Sequence, residues 1–453
     1  MIRLNDKRSI ILTDNSEKVQ TLSPDMVEDL YAIAKPKISE LADKEGYNLL
    51  IFPICIGETK DQIGDSKILD IDIEAEKYII KTSNIMGFVG RNDTTIGITS
   101  RFTNDKQDFF LHYMLQKVLH INLFDLKYQS QNDSIFDFLI YLFPTLLKQA
   151  MRQGLYKEYQ HCQYNDMNIR GRIDVNRHIR NNIPPNGKIA YTTREYKYDN
   201  RITQLIRHTI EHIKERSDIY DIIFGGEELK ECVNQICQAT TSYKRSDRQR
   251  VVHDNIKPVN HPYFTEYLPL QKLCMQILRF EELKYGANEN EIYGILFDGA
   301  WLWEEYLNTV LEEMGFTHPR NKTKENPLYL SKGSNWQPRY PDFYRDDIVL
   351  DAKYKFFPDE THSTNRDDVN QLVTYMFMLK AQYGGFIYPK EVAENIEDSK
   401  PRMLCGYGGT MYFHSMGIAK ETNDYQTFCA MQKENENILR EAVQKYYTYE
   451  NMQ

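Results

Sequence analysis

The sequence predicts a mixed α/β (α+β) protein, and three patterns carry that expectation. Between Ile68 and Phe102, short apolar runs alternate with Gly, Asn and Asp turns, as in hairpin-linked strands. From Lys106 to Tyr285, apolar residues recur mainly at helical spacing. Between Tyr340 and Tyr388, a hairpin, an amphipathic helix and a buried strand follow one another. The chain accordingly divides into a β-rich module over residues 1–105, a mainly helical, basic middle region over 106–285, and a C-terminal domain over 286–453. That last domain is expected to hold a central mixed sheet flanked by helices.

Taken in order, Ser9–Thr13 is strand-like. Ser23 before Pro24 supplies an N-cap and a proline at the first helical position, so a helix is expected from Pro24 to Lys44. Leu49–Ile56 reads as a buried strand. Strands follow at Ile68–Ile73, Tyr78–Ser83, Met86–Val89 and Thr94–Ile98, the last two joined as a hairpin across Arg91–Asp93. Phe109–Leu119 and Ile135–Met151 are strongly apolar helices expected to pack on each other. A short strand is expected at Ile173–Val175. Asp199 or Asn200 caps a helix reaching Ile213, and further helices cover Glu227–Ala239 and Tyr263–Tyr285. Gly286–Asn290 reads as a linker. Gly384–Tyr388 is a buried strand, Arg402–His414 a pair of edge strands, and Asp424–Tyr447 a polar, charged helix.

Composition narrows the class. With 41% apolar and 12% aromatic residues, 453 residues suffice for two or three domains with sizeable cores, and disorder is excluded as a general description. No apolar run is long enough to span a bilayer, and Met1–Arg8 lacks the apolar core of a signal peptide, so a cytoplasmic location is expected. The seven cysteines include no Cys-x-x-Cys pair and read as reduced packing residues. His208 and His212 stand four apart with no third ligand in view and are expected to be solvated or stacked. Neither a Gly-x-x-x-x-Gly-Lys-Ser/Thr phosphate loop nor a Gly-x-Ser-x-Gly elbow occurs, which argues against nucleotide hydrolysis and acyl transfer by this chain itself.

Charge is unevenly spread. The net charge of −9 disfavours a protein that coats nucleic acid. Between Arg152 and Arg216, however, thirteen Lys or Arg stand against seven Asp or Glu. Such a band suits a localised phosphate track or a face laced with ion pairs. Within it, Arg170, Arg172 and Arg177 are candidate DNA contacts, because Gly171 permits close backbone approach and leaves two guanidiniums beside it. Pairing with acidic helices of the same chain is the alternative. The polar stretch Thr240–Arg250 is likewise either a DNA-facing or a solvated loop.

The chemistry concentrates near the C-terminus. Tyr340–Tyr344 and Ile348–Phe356 read as strands joined by a turn at Arg345–Asp347. Residues two apart on a strand share a face, so Asp351 and Lys353 project together, and the hairpin returns Asp342 beside them. Buried charge needs a partner. The choices are a structural Asp–Lys pair or a hard divalent cation held by Asp342 and Asp351, with Lys353 orienting a water. Glu304, on an amphipathic helix from Gly299 to Met314, can add a third acidic ligand. A helix over Asp367–Leu379 buries Val369, Leu372, Val373, Met376 and Leu379 and presents Gln371 and Tyr375 four apart on another face.

This order of helix Glu304, Pro341-Asp342, Asp351-Ala-Lys353, Gln371-x-x-x-Tyr375 and then Gly385–Pro389 resembles the PD-(D/E)xK nuclease superfamily. More narrowly it resembles the McrC family, nuclease subunits of McrBC modification-dependent restriction systems. Leu302-Trp-Glu304, Asp351-Ala-Lys-Tyr-Lys355 and Asp368–Tyr375 match its nuclease motifs, and Arg170–Arg177 with Glu195–Arg201 resemble the segment before them. The resemblance covers about residues 165–390. It implies a Mg²⁺- or Mn²⁺-dependent DNA endonuclease with Asp342, Asp351 and Glu304 as metal ligands. Lys353, Gln371 and Tyr375 would complete the catalytic group. It also implies an McrB-like AAA+ GTPase ring as partner, stimulated by this chain and docked through the N-terminal module. Double-stranded DNA carrying modified cytosine would be the substrate. A stand-alone nuclease and a non-catalytic adaptor that activates a partner NTPase are the alternatives.

Overall fold

The computed structural model describes residues 2–7, 9–12, 23–43, 48–53, 64–74, 77–92, 94–102, 108–119, 133–215, 226–284, 292–319, 326–356, 365–391, 401–406, 408–419, 422 and 424–449. The expected linker Gly286–Asn290 and the far end of the Leu49–Ile56 strand lie outside the described residues. The chain packs as two units, one of Met1–Lys127 with Asn288–Gln453 and one of Tyr128–Ala287.

The first unit begins with β1 (Ile2–Asn5), β2 (Ser9–Leu12), α1 (Pro24–Ala34), α2 (Ile38–Asp43), β3 (Asn48–Phe52), β4 (Leu69–Glu74), β5 (Lys77–Thr82), β6 (Ile85–Arg91) and β7 (Thr94–Thr99). The alternating patterns therefore become strands within a residue or two of their expected ends. β6 and β7 form the expected hairpin, paired from Arg91 and Thr94, with Asn92 at a positive φ in the turn. The single helix expected over Pro24–Lys44 is two helices instead. Ser23 does cap the first, its Oγ accepting the Met26 N–H at 3.3 Å. Pro36, however, lacks a donor and crowds the preceding turn, so the helix stops at Ala34. Buried Asp29 on α1 accepts from Arg91, Asn92 and Thr94 and so ties the helix to the hairpin tip. α3 (Phe109–Leu119) ends this part.

The second unit contains α4 (Asp133–Arg152), β8 (Glu158–Asp166), β9 (Arg172–Ile173), α5 (Val175–Asn182), β10 (Ile189–Lys197), α6 (Arg201–Lys214), α7 (Glu227–Ala239), α8 (Arg248–Asp254) and α9 (Tyr267–Lys284). Asn200, one of the two expected caps, closes a capping box with Thr203 at the start of α6. The strand expected at Ile173–Val175 stops at Ile173, because the Asp174 side chain accepts the Arg177 N–H at 3.1 Å and draws Val175 into α5. His208 and His212 are buried rather than solvated, and His208 packs on the Tyr243 ring at 4.6 Å. In the stretch from Thr240 to Arg250, Arg245 and Arg248 face Glu215 at 2.7 and 3.8 Å and Arg250 faces Asp247 at 2.8 Å.

The rest of the first unit comprises β11 (Ile292–Asp298), α10 (Gly299–Leu311), β12 (Leu328–Tyr329), β13 (Pro338–Arg339), β14 (Phe343–Arg345), β15 (Ile348–Ala352), α11 (Arg366–Leu379), β16 (Tyr383–Glu391), β17 (Arg402–Met403), β18 (Thr410–Ile418) and α12 (Tyr425–Tyr449). β11 pairs with β6 and β3, completing a five-stranded sheet of order β1-β7-β6-β11-β3. The expected boundary at residue 286 thus falls just before a strand that is shared with the N-terminal module. The other five-stranded sheet, β14-β15-β16-β18-β17, is mixed: β15, β16 and β18 run parallel, and β14 and β17 pair antiparallel at the ends. α10 and α11 pack on β15, and α12 packs on β18.

In the first unit α3 packs on α10 and α12, and in the second unit α4 packs on α9. The Phe110 and Tyr113 rings meet Tyr306, and the Tyr113 and Tyr306 hydroxyls both donate to the buried Glu436 carboxylate, at 2.8 and 2.9 Å. The C-terminal helix is accordingly not merely polar, since α12 also buries Phe428, Leu439 and Val443. Among the described residues no helix is long and apolar enough to cross a membrane.

Burial lowers the pKa of His208 to about 4, with Arg248 adding to the effect. A histidine held neutral in the fold stabilises it fully above its unfolded pKa, near 6.5, and that contribution is lost as pH falls through about 4. The substitution His208→Leu is expected to flatten the loss of stability between pH 6.5 and 4, as read by urea denaturation across that range.

Candidate active site

The hairpin β14–β15 pairs Phe343 with Leu350 and Arg345 with Ile348, so the next residues outward bring Asp342 opposite Asp351. Asp342 Oδ2 accepts the Ala352 N–H at 2.7 Å, which closes the open end of the ladder. Val349, Asp351 and Lys353 alternate onto one side of the strand. Val349 belongs to a core with Leu372, Tyr375, Met376 and Phe386. Asp351 is therefore carried into a buried environment by the same face that places Val349 there, and it has no exposed surface. Its Oδ2 faces the Lys353 ammonium at 2.6 Å, while Oδ1 is buried without a hydrogen-bond partner.

The expected companions gather round this pair. Lys353 Nζ also donates to Gln371 Oε1 at 3.3 Å, Gln371 Nε2 donates to the Tyr375 hydroxyl at 3.0 Å, and that hydroxyl donates to the Tyr340 carbonyl at 3.1 Å. Tyr375 is buried where Val373 was expected to be, and Val373 is 39% exposed. The helix is rotated so that its tyrosine, whose hydroxyl reaches a partner, takes the core-facing position. Glu304 is half-buried and lines the same cleft, of about 760 Å³, as Asp298, Asp342, Lys353, Gln371 and Tyr375.

The electrostatics fit a site that resists ionisation until it is compensated. Burial, then the neighbouring Asp342 charge, pushes Asp351 up to about 7. Asp342 is raised by burial against the pull of Lys353. Glu304 is held well above the carboxylate range by burial, then by Asp342 and Asp298. Lys353 is raised, because the carboxylates of Asp351 and Asp342 outweigh its own burial. Three carboxyls thus share the Lys353 ammonium, and repulsion adds to burial at Asp351 and Glu304.

Several members of this site escaped the sequence reading. Asp298 caps α10 by accepting the Ala300 N–H at 3.0 Å, and burial pushes it up to about 7. Its signal was available as an Asp directly before the Gly-Ala that opens the helix. His318 donates from Nδ1 to the Asp342 carbonyl at 2.6 Å and stacks on Phe343. Asp368 and Lys355, which the sequence marks only as ends of the matched motifs, pair with each other. Lys7 lines the cleft from a distant part of the chain, and no local pattern points to it. Of the candidate DNA contacts, Arg177 donates to the Tyr164 and Tyr191 carbonyls at 2.6 and 2.9 Å, Arg170 lies over the Tyr164 ring, and Arg172 is exposed.

The family of McrBC 5-methylcytosine restriction system components matches residues 80–389. The chain belongs to the McrBC family. No curated protein matches it. Among solved structures, a chain of the refined half-complex from the tetradecameric assembly of Thermococcus gammatolerans McrB AAA+ hexamers with bound McrC is similar at 15% identity and a TM-score of 0.50. The match covers 96% of this chain and 99% of that one. A chain of the Thermococcus gammatolerans McrBC complex is similar at 14% identity and a TM-score of 0.34, over 69% and 87% of the two chains. At such identity the first likeness establishes the fold, and it agrees with the mixed α/β expectation.

Whether this McrBC-family site suits a divalent cation is decided by its donors. Among the described residues no three Asp, Glu, His or Cys side chains form a ready cage. Magnesium commonly takes only one or two protein carboxylates and keeps several waters. The adjacent Asp342 and Asp351, with the unpartnered Oδ1 of the latter and Glu304 across the cleft wall, meet that requirement.

The substitution Lys353→Met removes the ammonium beside a buried carboxylate. It is expected to destabilise the protein by about 3–5 kcal/mol at pH 8. At pH 5, where Asp351 is protonated in the fold, the loss is expected to shrink markedly, as read by urea denaturation at the two pH values.

Proposed function

We propose that this McrBC-family chain is the McrC-type component, a metal-dependent DNA endonuclease. The observation that carries this reading is the buried Asp351 carboxyl, 2.6 Å from the Lys353 ammonium and opposite Asp342, directly behind a cleft that Asp342, Lys353 and Glu304 line. The chain's lack of a phosphate loop sets it apart from the GTP-hydrolysing component.

Asp342 and Asp351 would hold Mg²⁺ or Mn²⁺, with Glu304 as a further ligand or as base. When bound, the ion would neutralise charge developing on the scissile phosphate and lower the pKa of a water. Lys353, held between Asp351 and Gln371, orients that water and donates toward the phosphate. Gln371 fixes the Lys353 ammonium, and Tyr375 anchors Gln371 through its own bond to the Tyr340 carbonyl. The partner is an McrB-like AAA+ GTPase ring, whose GTPase this chain stimulates, and the substrate is duplex DNA carrying modified cytosine. Such a complex acts in the cytoplasm.

A second reading has its own observation. Oδ2 of Asp351 is already engaged by Lys353, and no described triad of donors stands ready, which suits an adaptor that only activates the partner NTPase. The two readings part on the metal. Asp351→Ala is expected to cut DNA cleavage by at least about 100-fold, the lower range for losing a group that activates a nucleophile. Complex formation with the ring should persist, measured by size-exclusion chromatography beside a cleavage assay. Retained cleavage would overturn the nuclease reading. Titration calorimetry showing no Mg²⁺ or Mn²⁺ binding to the wild type would favour the adaptor.

A further inference from the structure

The sheet β8-β10-β9 in the second unit has one face that bears cations and no carboxylate. Register sets its rows: Tyr159 lies opposite Tyr196, His161 opposite Arg194, and Gln163 opposite Thr192, which in turn faces Arg172 of β9. Paired residues share a face, and so do alternate ones. The acidic residues of the two long strands, Glu158, Asp166 and Glu195, therefore all fall on the opposite face. α5 covers only one end, where Asn182 exchanges hydrogen bonds with Asn165 at 2.8 and 3.1 Å. Beyond it the surface is open, with Tyr159 59% and Tyr196 42% exposed.

Two of the cations here are held over rings and, among the described residues, paired with no carboxylate. Tyr159 and Tyr196 stack at 4.6 Å, Arg194 lies 4.5 Å over the outer face of Tyr159, and Lys157 lies 4.8 Å over Tyr196. A cation over a ring is oriented but keeps its charge. Arg172 is brought onto this face by Gly171, where an added Cβ would stand 2.1 Å from the Thr192 carbonyl oxygen. Other arginines of this unit are engaged elsewhere: Arg177 by two carbonyls, Arg245 and Arg248 by Glu215, Arg250 by Asp247.

Successive rows are two residues apart, about 6.8 Å along the strand, comparable with the step between neighbouring phosphates of a nucleic-acid strand. The ring faces are occupied by each other and by the two cations, so they offer no stacking surface to an unpaired base. Hydroxyl, imidazole, amide, guanidinium and ammonium donors are what remain, and these suit phosphate oxygens. We infer that this face grips the sugar–phosphate backbone of duplex DNA without reading its sequence. The inference rests on the reading that the chain acts on DNA, and it assigns that role to Lys157, Arg172 and Arg194 rather than to Arg177.

The test uses the full-length chain and a fluorescein-labelled 30-base-pair duplex without modified bases, followed by anisotropy between 50 and 200 mM salt. The combined substitution Lys157→Ala, Arg172→Ala, Arg194→Ala is expected to weaken binding at least about 10-fold at 100 mM salt. It should also lower the slope of log affinity against log salt by about 0.9 for each phosphate that is no longer neutralised. The charge-preserving set Lys157→Arg, Arg172→Lys, Arg194→Lys should restore both, and Arg177→Ala should lower the melting temperature with the slope unchanged. Unchanged affinity and slope in the alanine variant would overturn the inference, as would absence of duplex binding by the wild type. Loss of binding to an AAA+ ring with DNA binding intact would make the face a protein surface and overturn it too. A cleft that neither binds metal nor cuts, beside intact salt-dependent binding, would overturn only the nuclease reading.

Discussion

A carboxylate with no exposed surface and one ammonium for company constrains most of the C-terminal sheet. Asp351 is ionised at the cost of burial unless Lys353 stays beside it, and α11 holds Lys353 there through Gln371, which Tyr375 anchors, and through the Asp368 carboxylate. That in turn requires β15 to lie between β14 and β16, with α11 packed across it. The apolar packing of Val349, Leu372, Met376 and Phe386 thus has two effects. It holds the sheet together, and it excludes the water that would otherwise screen the charges. Burial raises all three carboxyls, and charge repulsion adds to it at Asp351 and Glu304, a state suited to accepting a cation and unfavourable without one.

The cleft is assembled from separated parts of the first unit. Lys7, Ser83 and Asn84 come from its N-terminal strands and turns, Asp298 and Glu304 from the junction of β11 and α10, and the remaining groups from the hairpin and α11. The pairing of β11 with β6 and β3 makes this possible, because it brings Asp298 to the end of a sheet whose other members precede it by some two hundred residues. The Gly299 N–H bonds to the Asn84 carbonyl at 2.9 Å and locks that junction. The matched family segment spans residues 80–389 and so includes the hairpin, Glu304 and α11, whereas Lys7 lies before it.

The second unit sorts its arginines by partner. Those within reach of Glu215, Asp247 or buried carbonyls are consumed by the fold, whereas on the open sheet face Arg194 is oriented by the Tyr159 ring and Arg172 is exposed. Positive charge counted along a sequence measures neither population. Only the register of β8, β9 and β10 separates them, by sending every acidic residue of the two long strands to the other side.

Much of this was legible from residue order because it is local. The Arg91–Asp93 hairpin, the Ser23 and Asn200 caps, the amphipathic α10 and α11, and the convergence of Asp342, Asp351 and Lys353 follow from strand and helix periodicity within short windows. What periodicity does not contain is the identity of the partner across a buried face. It marks α3 as apolar but not that Tyr306 and Glu436 would meet it, and it places Val373 in the core where Tyr375 sits. It misses the Pro36 break, the burial of His208, and the distant Lys7. Sequence by itself therefore determined the elements and the hairpin chemistry, since both depend on neighbours a few residues apart. Tertiary structure alone decided which carboxyls are raised, which arginines are spent and where the cleft opens, because burial and long-range pairing are properties of the packed chain.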